Sequence, residues 1–279
     1  MGESQMSTKG YLLGSAPHEL QRLILQDRMI LRPITERLLR QAGLKEGMRV
    51  LDLGCGTGGV SLLAAEIVGP SGSVVGIDQS PDAIAMAEEC ARKSGFQQSD
   101  FRVSSVEAFS SVEPFDIVIG RYVLIYQPSP VAFIRAASRQ VRPGGVVAFH
   151  EIALHRGHHS LPSYPAWEMM AKCLNLAFSI GAPSWDAAGR LVEHFQNAGL
   201  ACPNLFAEMP VGGSQDSPLY GWLAGTVRSL MPKLLEHGGV TEEEVSIDTL
   251  EERMRSGAVE VQAQVDVAPQ VCAWVRTSP

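Results

Sequence analysis

The chain is 279 residues long, with 45% hydrophobic and 19% charged residues. That composition excludes collagenous, disordered and disulfide-scaffold classes, and the length is enough to bury a sizeable core without a metal or disulfide staple. Its 23 basic and 30 acidic residues give a formal charge of −7, so no general field draws in a polyanion, and no basic run supplies a local patch for nucleic acid.

Residues 1–10 read as a loose polar tail without the apolar core of a signal segment. From His18 to Leu44 apolar residues recur at helical spacing, and Pro33 is expected to break this stretch into two helices. The chain then alternates: strand 48–53, helix 58–68, strand 73–78, helix 81–94, strands 100–104 and 115–119, helix 129–141 and strand 145–152. Continuous apolar strands between helices mean a parallel sheet covered on both faces, and right-handed crossovers make it doubly wound. Beyond residue 153 come a His-rich loop, helices at Pro165–Ile180 and Asp186–Ala198, and strands Leu200–Met209 and Val259–Val275 flanking a helical stretch, Pro218–Arg255. The late strands are expected to pair antiparallel at one sheet edge, with the intervening helices as a cap. The expected division is an N-terminal helical segment (1–45), a core (46–152), and cap elements with the last helix and two edge strands of the core sheet (153–279).

The five cysteines, Cys55, Cys90, Cys173, Cys202 and Cys272, stand far apart with no C-x-x-C pair. This argues against a zinc ribbon or a disulfide framework and for free thiols in a reducing, cytoplasmic setting. No stretch approaches the ~20 unbroken apolar residues of a membrane span. His150, Glu151, His155, His158 and His159 cluster in sequence, but Gly157 disfavours the helix that would put two of them on one face; a solvated loop is expected there, and no metal.

The most informative run is VLDLGCGTGG, Val50 to Gly59, in which a strand enters a glycine turn that opens a helix. Gly54, Gly56 and Gly59 satisfy G-x-G-x-x-G, which lets backbone approach a ligand at a helix N-terminus and admits a nicotinamide dehydrogenase. Asp52, two residues before the first glycine, counts against that reading, because a carboxylate there repels a pyrophosphate and suits an ammonium or sulfonium. Asp78, ending the strand VVGID 24 positions after Gly54, is placed to accept both hydroxyls of an adenosine ribose.

Taken with FDIVIGRYVLIY and VRPGGVVAFHE, these motifs resemble, in order and spacing, the class I S-adenosylmethionine-dependent methyltransferases over residues 47–152. The flanks resemble the bacterial small-molecule members, which have an N-terminal segment and a helical cap. The resemblance implies a Rossmann-like α/β fold: a seven-stranded, mostly parallel sheet with an antiparallel edge strand, N-terminal helices closing over the cofactor and a helical cap. It implies S-adenosylmethionine as cofactor. Gly54, Cys55 and Gly56 would lie against it, with Asp52 near its amino-acid end, Asp78 on the ribose and Gln79 beside the adenine. The family often has Asp where this chain has Ser105, facing the adenine amino group; Ser105 accepts a hydrogen bond without supplying charge, and Val106 and Glu107 complete that wall. Arg121 and Tyr122 fall where the family contacts the methionine portion, and Tyr11 in the segment that folds over the cofactor, with Gln26 a weaker candidate.

His150 and Glu151 stand at the carboxyl end of the fifth strand, where open parallel sheets place their ligands, so either could serve as a base. Successive strand residues alternate faces, so one of the pair should point into the sheet. Trp167, Met169, Met170, Phe178 and Trp185 line an apolar acceptor pocket or form cap core. Gly120-Arg121-Tyr122-Val123 stands where resembling DNA and protein amine methyltransferases have Asn/Asp-Pro-Pro-Tyr. A small, partly apolar methyl acceptor is therefore expected, and no nucleic acid. A protein of this fold that binds the cofactor without transferring methyl is the rival reading. The cap helices could equally meet a second copy of the chain, which leaves a homo-oligomer open.

Overall fold

The computed structural model describes residues 17–278. In chain order its elements are helix α1 (Pro17–Gln26), a π-helical turn (Asp27–Leu31), α2 (Arg32–Gln41), β1 (Arg49–Leu53), α3 (Gly59–Val68), β2 (Ser73–Asp78), α4 (Pro81–Ser94), β3 (Ser99–Val103), β4 (Phe115–Arg121), a 3₁₀ turn (Leu124–Tyr126), α5 (Pro130–Ser138) and β5 (Val141–Ile152). There follow a 3₁₀ turn (Leu154–Arg156), β6 (His159–Leu161), α6 (Pro165–Gly181), a 3₁₀ turn (Ala187–Arg190), α7 (Leu191–Asn197), β7 (Asn204–Glu208), β8 (Val211–Gly212), α8 (Leu219–His237), α9 (Glu242–Val245), α10 (Ile247–Glu260), β9 (Gln264–Asp266) and β10 (Gln270–Arg276).

Seven strands form one sheet in the order β3-β2-β1-β4-β5-β10-β7. β1 to β5 are parallel, and β10 runs antiparallel to both β5 and β7. The order reverses between β1 and β4, the switch point where open α/β sheets place ligands beyond the strands' carboxyl ends. A second, three-stranded sheet, β6-β9-β8, lies outside the expectations from sequence.

The pleat sorts side chains between two cores. Val50, Val74, Ile117, Ile119, Val146 and Ala148 pack with Leu38, Leu39, Leu63 and Ala64 of α2 and α3. Their neighbours Leu51, Leu53, Ile77, Val118, Val147 and Phe149 pack on the other face with α5, α6 and α8. Burial on both faces explains why these strands read as continuous apolar runs. Helix starts follow local chemistry: Ser80 accepts from Ala83 N at 3.3 Å and Ser129 from Ala132 N at 3.2 Å, each just before a proline.

Two expectations are corrected. Pro33 does not break the first helical stretch; it lies at the start of α2, and the ring is accommodated by the wider π turn over Asp27–Leu31 just before it. Val259–Val275 is not one strand: α10 runs on to Glu260, because Leu250, Met254 and Ala258 recur at helical spacing and are fully buried, while Val259 and Val261 are exposed. Only Gln264–Asp266 and Gln270–Arg276 are extended, separated around Pro269.

Candidate active site

Asp52 sits on the α2/α3 side of β1 and is 1% exposed. Ser61 Oγ, from the first turns of α3, donates to its Oδ2 at 2.6 Å. Burial pushes its pKa up to about 6, against the opposing pull of Ser61 and of the Arg121 charge. Asp52 thus ties β1 to α3 across the glycine turn that joins them.

Above it the turn is open. Gly54 is exposed and Gly56 half-buried, with φ of +65° and +53°. A Cβ at Gly56 would meet nothing within 4 Å, so the backbone there faces free space. The Asp78 carboxylate spans this turn: Gly56 N donates to Oδ2 and Ser80 N to Oδ1, each at 2.9 Å. Each oxygen keeps a further lone pair for an incoming donor. Gln79 is exposed beside it, and Ser105, past the end of β3, is half-buried and accepts from Ala108 N at 3.2 Å. Val106 is buried against the same edge, and Glu107 is exposed. Cys55 is buried, and burial with the Asp52 and Asp78 charges raises its thiol pKa well above the ordinary range, which leaves it an unreactive loop residue.

Gly59, the third glycine of the motif, has a different function. A Cβ there would lie 2.7 Å from Asp27 Cγ and 3.0 Å from Arg121 Nη2. Its bare backbone admits Asp27, which the π turn brings down onto the loop. Arg121 Nη1 donates to Asp27 Oδ1 at 2.7 Å and to Thr35 Oγ1 at 3.1 Å, with the ion pair nearly enclosed.

From there a chain of polar groups crosses the buried face of the sheet. Thr35 Oγ1 lies 2.9 Å from His150 Nδ1, and His150 Nε2 lies 3.3 Å from Gln270 Oε1. Tyr122 O–H donates to the same Gln270 oxygen, and Gln270 Nε2 donates to Ala268 O at 2.9 Å. Because Gln270 Oε1 can only accept, the ring is satisfied on that side when Nε2 carries the proton, and the single Thr35 hydroxyl proton then lies between Leu31 O at 3.1 Å and His150 Nδ1. His150 is fully buried, and burial together with the Arg121 charge drives its pKa down to about 3. Tyr122, in the left-handed region at φ +58°, is held there by its own N–H donating to His150 O at 2.9 Å. Burial pushes its phenol up.

Glu151, one residue on, turns to the opposite face of the sheet and is also fully buried. Its Oε1 accepts from Val123 N at 3.0 Å and Leu124 N at 2.9 Å, fixing the segment that leaves β4, while Oε2 has no partner. Burial lifts its pKa from 4.5 to about 8 despite those amides.

Sequence reasoning placed Gly54, Gly56, Asp78, Gln79 and Ser105 along one open edge, and the structure brings them there. It puts Asp52, His150 and Glu151 beneath that edge. Gln26 accepts from Arg22 Nη1 at 2.5 Å and from Trp222 Nε1 at 2.9 Å, tying α1 to α8. Tyr11 lies outside the described residues. Asp27, Thr35 and Gln270 were missed; the signal for the first was a carboxylate on the apolar stripe of Leu23, Ile24, Ile30 and Leu31. Trp167 and Met170 are cap core, fully buried, whereas Trp185 is half-buried at the surface. Among the described residues no group of three or more His, Cys, Asp or Glu gathers to hold a metal, and no helix is long and apolar enough to cross a membrane.

Residues 44–198, more than half of the chain, match the family model of a methyltransferase domain. The chain is 26% identical over 223 residues to trans-aconitate 2-methyltransferase of Streptomyces avermitilis, covering 76% of this chain and 79% of that one. It is 33% identical over 121 residues to arsenite methyltransferase of Aquipseudomonas alcaligenes, covering 40% of this chain and 35% of that one. The matched segment spans less than half the length of the first curated relatives. Among solved structures it superposes on the YcgJ protein of Bacillus subtilis with a TM-score of 0.56 at 13% identity, covering 89% of this chain and 100% of that one, a likeness of fold.

Proposed function

Because the chain belongs to the methyltransferase-domain family, we propose that it is an S-adenosylmethionine-dependent methyltransferase acting on a small, partly apolar metabolite. The observation that carries the reading is the cradle at the switch point. Backbone at Gly56 faces open space, Gly54 is exposed with its Cα side against Val123, and the Asp78 carboxylate spans the turn with lone pairs to spare for a ribose. Gln79, Ser105 and Val106 flank the adenine side, while Arg121 and Tyr122 stand at the methionine side with Asp27 between them and the loop.

Bound S-adenosylmethionine brings a methyl group already activated on a sulfonium, so the chain's own residues supply binding, alignment and exclusion of water. Asp52 and Asp78, at the turn and without a cationic partner, set a negative local field that favours a cationic donor over a pyrophosphate, whereas the Asp27 charge is balanced by Arg121. His150 and Glu151 are positioning residues: neither reaches the open edge, and each fixes one side of the segment leaving β4.

The test is transfer of labelled methyl from S-adenosylmethionine into the small-molecule fraction of a cell extract, with boiled protein as control and calorimetric binding of S-adenosylmethionine against NAD. Labelled product and selective binding of S-adenosylmethionine are expected. Preferential NAD binding sinks the assignment; cofactor binding without transfer in extracts from several growth conditions turns it into the non-transferring rival.

A further inference from the structure

An open cleft of about 670 Å³ lies beside the cap, between α6 and the turn after β5. One wall is a single face of α6, where Lys172, Asn175, Leu176 and Ser179 recur at helical spacing. The other is built by His155, Arg156 and His159, with Trp185 closing one end. Although the chain carries 30 acidic residues, none lines this cleft.

The basic side chains are presented by a braced scaffold. His158 turns inward, is 5% exposed, and accepts from Ala268 N through Nδ1 at 3.1 Å, so its neighbours His155, Arg156 and His159 face outward. The His155 ring rests on Gly189, whose missing Cβ would lie 2.7 Å from Cε1. Before Trp185, Ser184 donates its N–H to Ile125 O at 3.1 Å and its Oγ–H to Gln127 O at 2.8 Å. The nearby carboxylates are engaged at the rim: Asp266 lies 3.5 Å from His159 Nδ1, and Asp186 lies 3.8 Å from Arg190. Most arginines of the chain pair with an acid, whereas the side chains of Arg156 and Lys172 have no hydrogen-bond or ion-pair partner among the described residues.

Position gives the cleft a purpose. Arg156 stands four residues past the carboxyl end of β5, and Trp185 is tied through Ser184 to the segment leaving β4. Both lie on the edge of the sheet that carries the donor cradle. Two unpaired cations and two imidazoles around an indole and a leucine suit an organic anion with a flat apolar body.

We propose that this cleft docks the methyl acceptor and that the acceptor is anionic, a carboxylate or phosphate on a ring-sized apolar body. The proposal rests on the methyltransferase reading above. The full chain is titrated with 4-hydroxybenzoate, phenyl phosphate and the neutral methyl ester of 4-hydroxybenzoate, following tryptophan fluorescence, with Trp185→Phe to assign the signal. Binding of at least one anion ten-fold or more tighter than the ester is expected, the preferred anion telling carboxylate from phosphate. Arg156→Ala and Lys172→Ala should each weaken that anion at least five-fold and leave calorimetric S-adenosylmethionine binding unchanged. The preferred anion should also suppress labelled-methyl transfer into the extract. Equal binding of ester and anions, no anion binding, unaltered anion binding in both variants, or transfer that saturating anion does not suppress overturns the proposal. Loss of S-adenosylmethionine binding by the wild type overturns instead the reading on which it rests.

Discussion

Replacing Glu151 by Gln isolates the cost of keeping a carboxyl group where water cannot reach it. The side chain is fully buried, and burial moves its pKa from 4.5 to about 8. At about 1.4 kcal/mol per pH unit, that shift corresponds to about 5 kcal/mol of stability linked to one proton. The folded pKa is the higher one, so the folded chain holds the proton more tightly. The contribution is complete below pH ~4.5 and is lost as pH rises through about 8. Glutamine presents the same oxygen to the Val123 and Leu124 amides and has no proton to lose. Urea unfolding at pH 5 and pH 8 should therefore show the wild type losing about 3 kcal/mol more than E151Q over that interval. Every other titrating group, Asp52 included, is common to the two proteins and cancels. Parallel stability curves would refute the reasoning, because they would mean that the carboxyl group ionises as easily inside the fold as outside it.

Turnover of E151Q at pH 7 should stay within about two-fold of wild type if the residue positions the β4 exit; a drop of about a hundred-fold, with cofactor affinity intact, would restore it as a base. Asp78→Ala should weaken S-adenosylmethionine by about 1 to 3 kcal/mol in calorimetry, the scale of lost charge-assisted hydrogen bonds, and unchanged affinity would remove the ribose from that carboxylate. Asp27→Ala leaves Arg121 nearly enclosed without its counter-ion, so unfolding free energy should fall by about 3 kcal/mol; a loss below about 0.5 kcal/mol would show that the pair contributes little.

The segment from Arg49 to Ile152 was legible because its order is local. β1, β2, β4 and the later part of β5 are buried on both faces, each helix starts at a Ser-Pro or glycine signal, and each βαβ unit is complete within a few tens of residues. The open edge was legible for the same reason, since Gly54, Gly56 and Asp78 sit at strand ends. What sequence could not supply was depth. Asp52, His150 and Glu151 are strand-end residues of the right chemistry, but whether such a side chain meets the ligand or the floor beneath it depends on what packs underneath, here Ser61, Thr35 and the Val123 amide. Asp27 was hidden by its helix: only the widened turn over Asp27–Leu31 turns it onto Gly59. The late strands were blurred because Val259 and Val261 alternate as a strand would while Leu250, Met254 and Ala258 recur as a helix does, and burial decided between them.

The position of β10 sets an order of assembly. β1 to β5 and their helices close through short loops, each new strand meeting one already in place or soon to follow. β10 enters between β5 and β7, and its Gln270 pairs with Ile152 across a separation of more than a hundred residues. Contacts of that span form late, since the entropy of closing the loop precedes any reward from pairing. Gln270 is also where His150 and Tyr122 meet. An intermediate with the parallel half of the sheet formed therefore has its glycine turn but not the final anchor of the strand beside it. Such a species should expose an immature donor site, and a ligand that holds the finished cradle should favour the last docking step.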